Sequence, residues 1–496
     1  MTLAQLLERT EYTMLSGASD REVSGISRDN RTAKQGDLFI CTAGARFDTH
    51  APDVVNALYE QGVRAFVSEK ALDLPEDAAV ALVENTRSAG AAAYAAWYGH
   101  PADDLTVIGI TGSKGKTTTT HMLADILREG GHRVGTIGTN GAIIGTEVRE
   151  LKNTTPESDE LEGYLREMAD RGCDTVVLEI SSQGMKQHRA DGFRFDYAVW
   201  LNLQEGDHIG PNEHESFEDY AFCKAELLNH SALGFVHIDD PFAEKFLSYV
   251  QEMPLITFGA SEGADYRAED IAKTYDEASG QPGVRFTVSG KLSMDSWTNF
   301  PGEFNVWNAL AAIAVAHEMG VPDEAVNRAL GNVHIKGRDD IVYKGPDFSV
   351  CVDFAHNGAS TWNHLTALRE FRPKRLVCIF GADGNRTVER RYGMGEAAGK
   401  LADFSIVTSG HNRWETFEQI LADTEIGLNR AENPNYIAIK DRKTAIRYAI
   451  DHAEKGDLIT IIGLGHENWQ EEMGVKYEYS DTEFVKSVLR EKGLIE

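Results

Sequence analysis

The chain lacks the features that mark secreted, membrane-spanning or nucleic-acid-binding proteins. Five cysteines are scattered over 496 residues, at Cys41, Cys173, Cys223, Cys351 and Cys378. Their number is odd and no C-x-x-C pair occurs, so neither a disulfide framework nor a zinc site is indicated. Basic residues are in deficit: 49 Lys and Arg against 78 Asp and Glu give a formal net charge of -29. That balance disfavours nucleic acid or an anionic membrane surface as the main partner, and any anionic substrate must be gathered by a local basic pocket. No apolar run approaches the roughly 18 residues needed to span a bilayer. The opening MTLAQLLERTEYTML carries acids among its apolar residues and has no basic region followed by an apolar core. The expectation is a cytoplasmic protein with no membrane insertion.

What is present is an ordinary globular composition, 42% hydrophobic and 26% charged, which rules out long-range disorder. A prior of roughly 150 residues per domain suggests about three domains. Residues to about 100 read as a small α/β unit, with strands in DLFICTAG (37–44) and VRAFVSE (63–69) around a helical VVNALYEQG. An Ala-rich helix in 88–105 stops at Gly-His-Pro, which marks a first boundary. From Leu105, strands and helices alternate: LTVIGIT, a helix to Arg128, DTVVLEIS (174–181), DYAVWLNL (196–203). A third series follows His334: DFSVCVDFA (347–355), RLVCIFGA (375–382), FSIVTSG (404–410) and DLITIIGLG (457–465). Strand–helix–strand repetition predicts doubly wound, mostly parallel sheets. The fold class is therefore α/β in three domains, at 1–103, 104–334 and 335–496.

Open parallel sheets bind ligands beyond the carboxyl ends of their strands. In the third series the polar clusters Asp353 and His356, Asp383 to Arg386, His411 to Arg413, and His466 with Glu467 all follow apolar strands. They point to one shared crevice.

The strongest single motif is ITGSKGKTTTT (110–120), which follows an apolar strand and opens a helix with apolar Met122, Leu123, Ile126 and Leu127. Gly112 and Gly115 let backbone N–H groups approach phosphates at a helix N-terminus, where negative charge is favoured. Lys116 is placed for the β/γ-phosphates and the Thr117 hydroxyl for Mg²⁺. The spacing is a shortened T-G-x-x-G-K-T form, with Ile110 where the longer motif has its first glycine. Glu179 ends a neighbouring apolar strand, a suitable place for a magnesium ligand, and His208 is a candidate ligand of a second ion.

With these motifs, NTTPE (153–157), LEISSQGMKQHR (178–189), EDYAFCKAELL (218–228), FNVWNALAA (304–312) and VDFAH (352–356), the chain resembles the Mur ligases. FGADGNRTVERRYGMGEAA (380–398) and GLGHE (463–467) narrow the resemblance to members adding the third amino acid to UDP-N-acetylmuramoyl-L-alanyl-D-glutamate. It covers nearly the whole chain and is weakest before Leu105. It implies a small α/β UDP-binding N-terminal domain, a central phosphate-loop ATPase domain with a doubly wound sheet, and a C-terminal Rossmann-like domain that binds the amino acid and closes over the site.

Carried over residue by residue, the resemblance implies ATP contacts at Gly112, Ser113, Lys114, Gly115, Lys116, Thr117 and Thr118, with Asn305, Asn308, Arg338, Asp353 and His356. It implies that Lys224 carries a carbamate and, with Thr117, Glu179 and His208, holds magnesium. The catalytic set is then Lys116, Glu179, His208 and Lys224. Asn153, Thr154, Thr155, Ser181, Gln187 and Arg189 match positions for the muramoyl-dipeptide; Arg28, Asp29 and Asn30 fall where uridine is read. The implied reaction passes through an acyl phosphate that an incoming amine attacks, with water excluded by domain closure.

The third amino acid is read from Arg386, His411, Arg413, Gly463 and Glu467. Enzymes of this type that add meso-diaminopimelate carry Asp-Asn-Pro-Arg where this chain has Gly410-His411-Asn412-Arg413. Two arginines and Glu467 still suit two carboxylates and a distal amine, so the expected amino acid is meso-diaminopimelate, with L-lysine, L-ornithine or another as alternatives. Lys114, Gln183, Asn385 and Leu464 also depart from the family pattern, and they leave the acceptor open as well. A folylpolyglutamate-synthase-like ligase is a rival reading, opposed by the N-terminal domain and NTTPE. An ATP-binding relative without ligase activity is the non-enzyme rival.

Overall fold

The structure, a computed structural model, describes residues 1–44, 47–205, 209–210, 213–275, 282–431 and 435–495. The chain divides into two compact units. The first comprises Met1–Ala268 with Val288–Met294 and Trp307–Ala329; the second comprises Glu269–Thr287, Asp295–Val306 and Leu330–Glu496.

The first unit begins with a five-stranded sheet in the spatial order Thr13–Ser16, Ala79–Leu82, Ala65–Ser68, Asp37–Ile40, Gly25–Ser27. All its pairs are parallel except the one made by Thr13–Ser16. The Ala-rich segment forms the helix Thr86–Trp97, capped by Asn85, whose side chain accepts from the amides of Arg87 and Ser88.

The larger sheet of this unit places Val134–Gly138, Thr175–Glu179, Thr106–Thr111, Phe195–Trp200, Ser231–His237 and Leu255–Gly259 side by side, all parallel. Gly141–Ile144 and Glu147–Arg149 extend one edge as antiparallel strands. TVIGIT is a near-continuous apolar run because it is the central strand, covered on both faces. The helix Lys116–Glu129 buries Met122, Leu123, Ile126 and Leu127 completely, as its spacing predicts. Thr106–Thr111, Thr175–Glu179 and Phe195–Trp200 are adjacent, so their carboxyl ends meet.

The second unit contains a six-stranded sheet in the order Asp340–Lys344, Phe348–Asp353, Asp457–Ile462, Arg375–Phe380, Phe404–Val407, Tyr436–Ala438, parallel except for the first pair. Four of these strands are the four runs of the third series. A buried ion pair braces their carboxyl ends. Arg442 binds Asp481 through Nε (2.8 Å) and Nη2 (2.7 Å), and also donates to the carbonyls of Ser409 (3.2 Å) and Ile462 (3.0 Å).

One buried acid in the first unit has no such partner. Glu162, on the helix Ser158–Asp170, is 1% exposed and its Oε2 has no hydrogen-bond partner. Burial pushes its carboxyl up to about 8. Between pH 4.5 and 8 the native state therefore keeps a proton that the unfolded chain has released, and stability falls as pH rises. Glu162→Gln removes this dependence. Chemical denaturation is expected to show its advantage over wild type growing by about 2–4 kcal/mol from pH 5 to pH 8.

Candidate active site

The phosphate loop runs from the end of the strand Thr106–Thr111 to the start of the helix Lys116–Glu129. Gly115 adopts φ +87° at the helix N-cap, a conformation glycine takes without strain. A Cβ there would also run into the Asn308 side chain. The loop is gripped from the next strand: Ser113 N donates to the Asn202 carbonyl (3.0 Å), and Lys114 N to Asn202 Oδ1 (2.9 Å). Ser113 Oγ also meets the Tyr220 hydroxyl at 2.8 Å. Thr118 follows Thr117 in the helix's first turn, and Thr119 Oγ1 donates to Asn308 Oδ1 at 3.3 Å.

Two cations converge on one loop carbonyl. Lys116 Nζ donates to the Gly112 oxygen at 2.8 Å, and Lys224 Nζ donates to the same oxygen at 2.9 Å. Lys224, on the helix Phe217–Asn229, is 2% exposed and lies over the Tyr220 ring. Conversion of Lys224 to a carbamate would replace this like-charge neighbour of Lys116 by an anion, so the position fits that group.

Glu179 is the hub. Its carboxylate accepts from Thr117 Oγ1 (2.9 Å), Thr139 N (2.9 Å) and Thr139 Oγ1 (3.0 Å). Thr139 Oγ1 lies 3.3 Å from Thr154 Oγ1, and Thr155 Oγ1 donates to the Glu179 carbonyl at 2.9 Å. These are hard oxygen donors beside a phosphate loop, the donor set that magnesium takes. His208 lies outside the described residues.

Around this hub sit the residues expected to hold the muramoyl-dipeptide. Ser181 N donates to Thr155 Oγ1 (2.9 Å), and Ser181 Oγ caps the helix Ser182–Lys186. Arg189 donates to the Thr155 carbonyl (3.1 Å) and pairs with Glu157 at 2.6 Å. Glu157 also pairs with Arg28, which lies 3.4 Å from Asp159. Arg28 is thus tied to the segment around Thr155, whereas Asp29 pairs with Arg31, and Asn30 and Asn153 are exposed. A cleft of about 250 Å³, lined in part by Asn85, Thr86, Arg87, Lys186 and Gln187, opens nearby.

In the second unit Asn305 is buried and donates to the Pro301 carbonyl at 2.7 Å. The Arg338 guanidinium lies over the Phe354 ring, and the His356 ring packs against the same ring. Gly463, at φ +114°, donates its N–H to the Asp353 carbonyl at 3.2 Å. His466 is pushed down to about 3 by burial and by the charge of Arg338. Beyond neighbouring strands, His411 Nε2 pairs with Glu467 Oε2 at 2.8 Å while its ring stacks on Trp469. Arg413 reaches Asp383 at 3.4 Å and the Gly384 carbonyl at 3.2 Å; Arg386 is exposed. His411, Glu467 and Arg413 therefore each have a protein partner, and Glu467 is not left as an isolated receptor for a substrate ammonium.

The sequence reading missed Asn202, Thr139 and Tyr220. The first two stand just after apolar strands, as Glu179 closes one, and the same strand-end argument finds them. Tyr220 carries no such signal, because its pattern is that of a core helix residue.

Residues 110–316 match the family described as Mur ligase middle domain, and residues 337–465 match Mur ligase, glutamate ligase domain. A UDP-N-acetylmuramoyl-L-alanyl-D-glutamate–2,6-diaminopimelate ligase of Syntrophomonas wolfei is 35% identical, over 99% of this chain and 100% of that one. The enzyme of the same name from Caldanaerobacter subterraneus is 36% identical over 99% of both chains. A solved structure of a protein with that name covers 99% of each chain, with a TM-score of 0.70 and 25% identity.

The loop geometry makes a direct prediction. Gly115→Ala forces a Cβ into a left-handed conformation beside Asn308 and is expected to weaken binding of a non-hydrolysable ATP analogue by about tenfold or more. Stability should fall by only about 1–2 kcal/mol. Calorimetry and thermal unfolding check the two effects separately.

Proposed function

The chain belongs to the Mur ligase family, and from that premise we propose that it is the ATP-dependent ligase joining a third amino acid to UDP-N-acetylmuramoyl-L-alanyl-D-glutamate. The amino acid in this reading is meso-diaminopimelate, and the product is a cytoplasmic precursor of peptidoglycan. The observation that carries the proposal is the Glu179 hub, where the phosphate-loop hydroxyl of Thr117 and the Thr154–Thr155 segment share one residue. In this reading the nucleotide end and the acceptor end of a ligation reaction meet at one residue. The names of the full-length relatives support the acceptor and the amino acid.

The glutamyl carboxylate of the acceptor attacks the γ-phosphorus of ATP, ADP departs, and an acyl phosphate forms. The amine of the third amino acid then attacks the acyl carbon, and phosphate leaves. Lys116 and the loop amides that Asn202 does not hold, those of Gly112 and Gly115, neutralise and orient the phosphates. Thr117, Glu179, His208 and Lys224 as its carbamate would hold magnesium, which would supply further charge neutralisation. Arg189 orients the dipeptide from the Thr155 side. Asn308, Arg338 and Asp353 contact the nucleotide, and Asn305 and His356 belong to the same set. The division at 103/104 and 334/335 is our domain reading: UDP-binding, ATPase and amino-acid-binding in turn.

One observation favours as the second reading an amino acid without a distal ammonium: the His411–Glu467 pair occupies the carboxylate that would receive one. The deciding experiment is ADP release with ATP, Mg²⁺, the UDP-dipeptide and one amino acid at a time. Turnover with meso-diaminopimelate alone is expected. Turnover only with L-lysine or L-ornithine would keep the ligase and discard the diaminopimelate assignment; no turnover with any, despite ATP binding, would discard the acceptor. Lys224→Ala should lose at least about 10²-fold in kcat without rescue by bicarbonate.

A further inference from the structure

Beneath Arg338 and Asp353 lies a cluster of ionisable groups to which the reaction scheme gives no role. His364, on the helix Gly358–Arg369, is 5% exposed. Its Nδ1 lies 2.7 Å from Asp339 Oδ1 and 3.9 Å from Asp353 Oδ1, and its Nε2 lies 2.8 Å from Thr460 Oγ1. Asp353 is in turn fixed by two backbone donors, Asp339 N at 2.9 Å and Ala355 N at 2.7 Å. Asp339 has φ +45°, a left-handed conformation that a non-glycine residue keeps only where its surroundings hold it. Three elements therefore converge on one ring: the turn before Asp340–Lys344, the end of Phe348–Asp353, and the strand Asp457–Ile462.

We propose that His364 is a positioning residue whose imidazolium, bridging Asp339 and Asp353, holds the Arg338–Asp339 turn and the Asp353 carboxylate in register and so sets the protein's affinity for ATP. The proposal rests on the reading that Arg338 and Asp353 contact the nucleotide.

The groups facing His364 are Asp339 from the turn, Asp353 from one strand and Thr460 from another. Cys351 lies beside Thr460, and Arg338 and His466 stand in the next shell around the two carboxylates. Burial alone would strip the ring of its proton, but the two carboxylates outweigh it and raise His364 above its ordinary 6.5. The charged form then donates Nδ1–H to Asp339 and Nε2–H to Thr460. The bridge is present below the ordinary 6.5 and lost as pH rises through the raised value. Its loss leaves the buried Asp353 and the half-buried Asp339 facing each other without the cation between them, which costs free energy and releases the strained turn.

The test is the pH dependence of KM for ATP and of kcat between pH 6 and 10, at saturating acceptor and amino acid. Wild type should show KM rising about tenfold on an alkaline limb above pH 6.5, with kcat nearly flat. His364→Gln should have that raised KM already at pH 7 and no limb. Asp339→Asn, which removes one carboxylate from the ring, should move the limb to lower pH and keeps the test decisive if His364→Gln does not fold. An unmoved limb in either variant, or a loss of kcat at every pH with KM unchanged, would overturn the proposal and leave His364 a core residue. Arg338→Ala separates the two readings. A raised KM there with a wild-type profile in His364→Gln removes this inference alone; an unchanged KM in Arg338→Ala removes the nucleotide reading and this inference with it.

Discussion

A single buried carboxylate organises the first unit. Glu179 is 2% exposed, and an ion so placed persists only if its lone pairs are satisfied. The donors that satisfy it come from Thr117 on the phosphate-loop helix and Thr139 after the next strand, while Thr155 donates to the backbone carbonyl of the same residue. Because one residue takes all of these donors, on its carboxylate or its carbonyl, the loop, the strand ends and the NTTPE segment have one mutual arrangement. The parallel sheet makes this possible by bringing the ends of Val134–Gly138, Thr175–Glu179 and Thr106–Thr111 side by side.

The same economy governs charge. In a chain with a net charge of -29, two cations at the phosphate loop face a backbone oxygen rather than solvent. They are Lys116 and Lys224, sharing the Gly112 carbonyl. Cations nearer the surface are held by acids: Arg28 and Arg189 both on Glu157, Lys186 on Asp219. Any anion meeting these cations competes with protein carboxylates for them, which favours ligands that make several contacts at once over single anions.

Much of this was legible in the amino-acid order. Apolar runs ending in polar residues located the parallel strands, and the glycine–lysine–threonine turn located the phosphate loop, because both patterns are local in sequence. The edge strands Gly141–Ile144 and Glu147–Arg149 were not read, since short antiparallel strands have weak periodicity. Pairings across long separations were also invisible. Nothing near His364 announces Asp339, and nothing near His411 announces Glu467, until the sheet brings them together. Glu467 was read as a receptor for substrate charge because its histidine partner lies 56 residues away.

The brace beneath the second unit's strand ends has a consequence for how such a protein can change. Arg442 holds the carbonyls of Ser409 and Ile462 from below, using only backbone atoms of the strands it supports. The loops that begin just beyond, at Gly410 and Gly463, therefore rest on a foundation indifferent to their own side chains. The tetrapeptide Gly410-His411-Asn412-Arg413 is held by contacts of its own: Asn412 Nδ2 donates to Ser409 Oγ at 3.2 Å and His411 pairs with Glu467. The sheet end and the loop it carries are thus held by different side chains, the first by Arg442 and the second by its own.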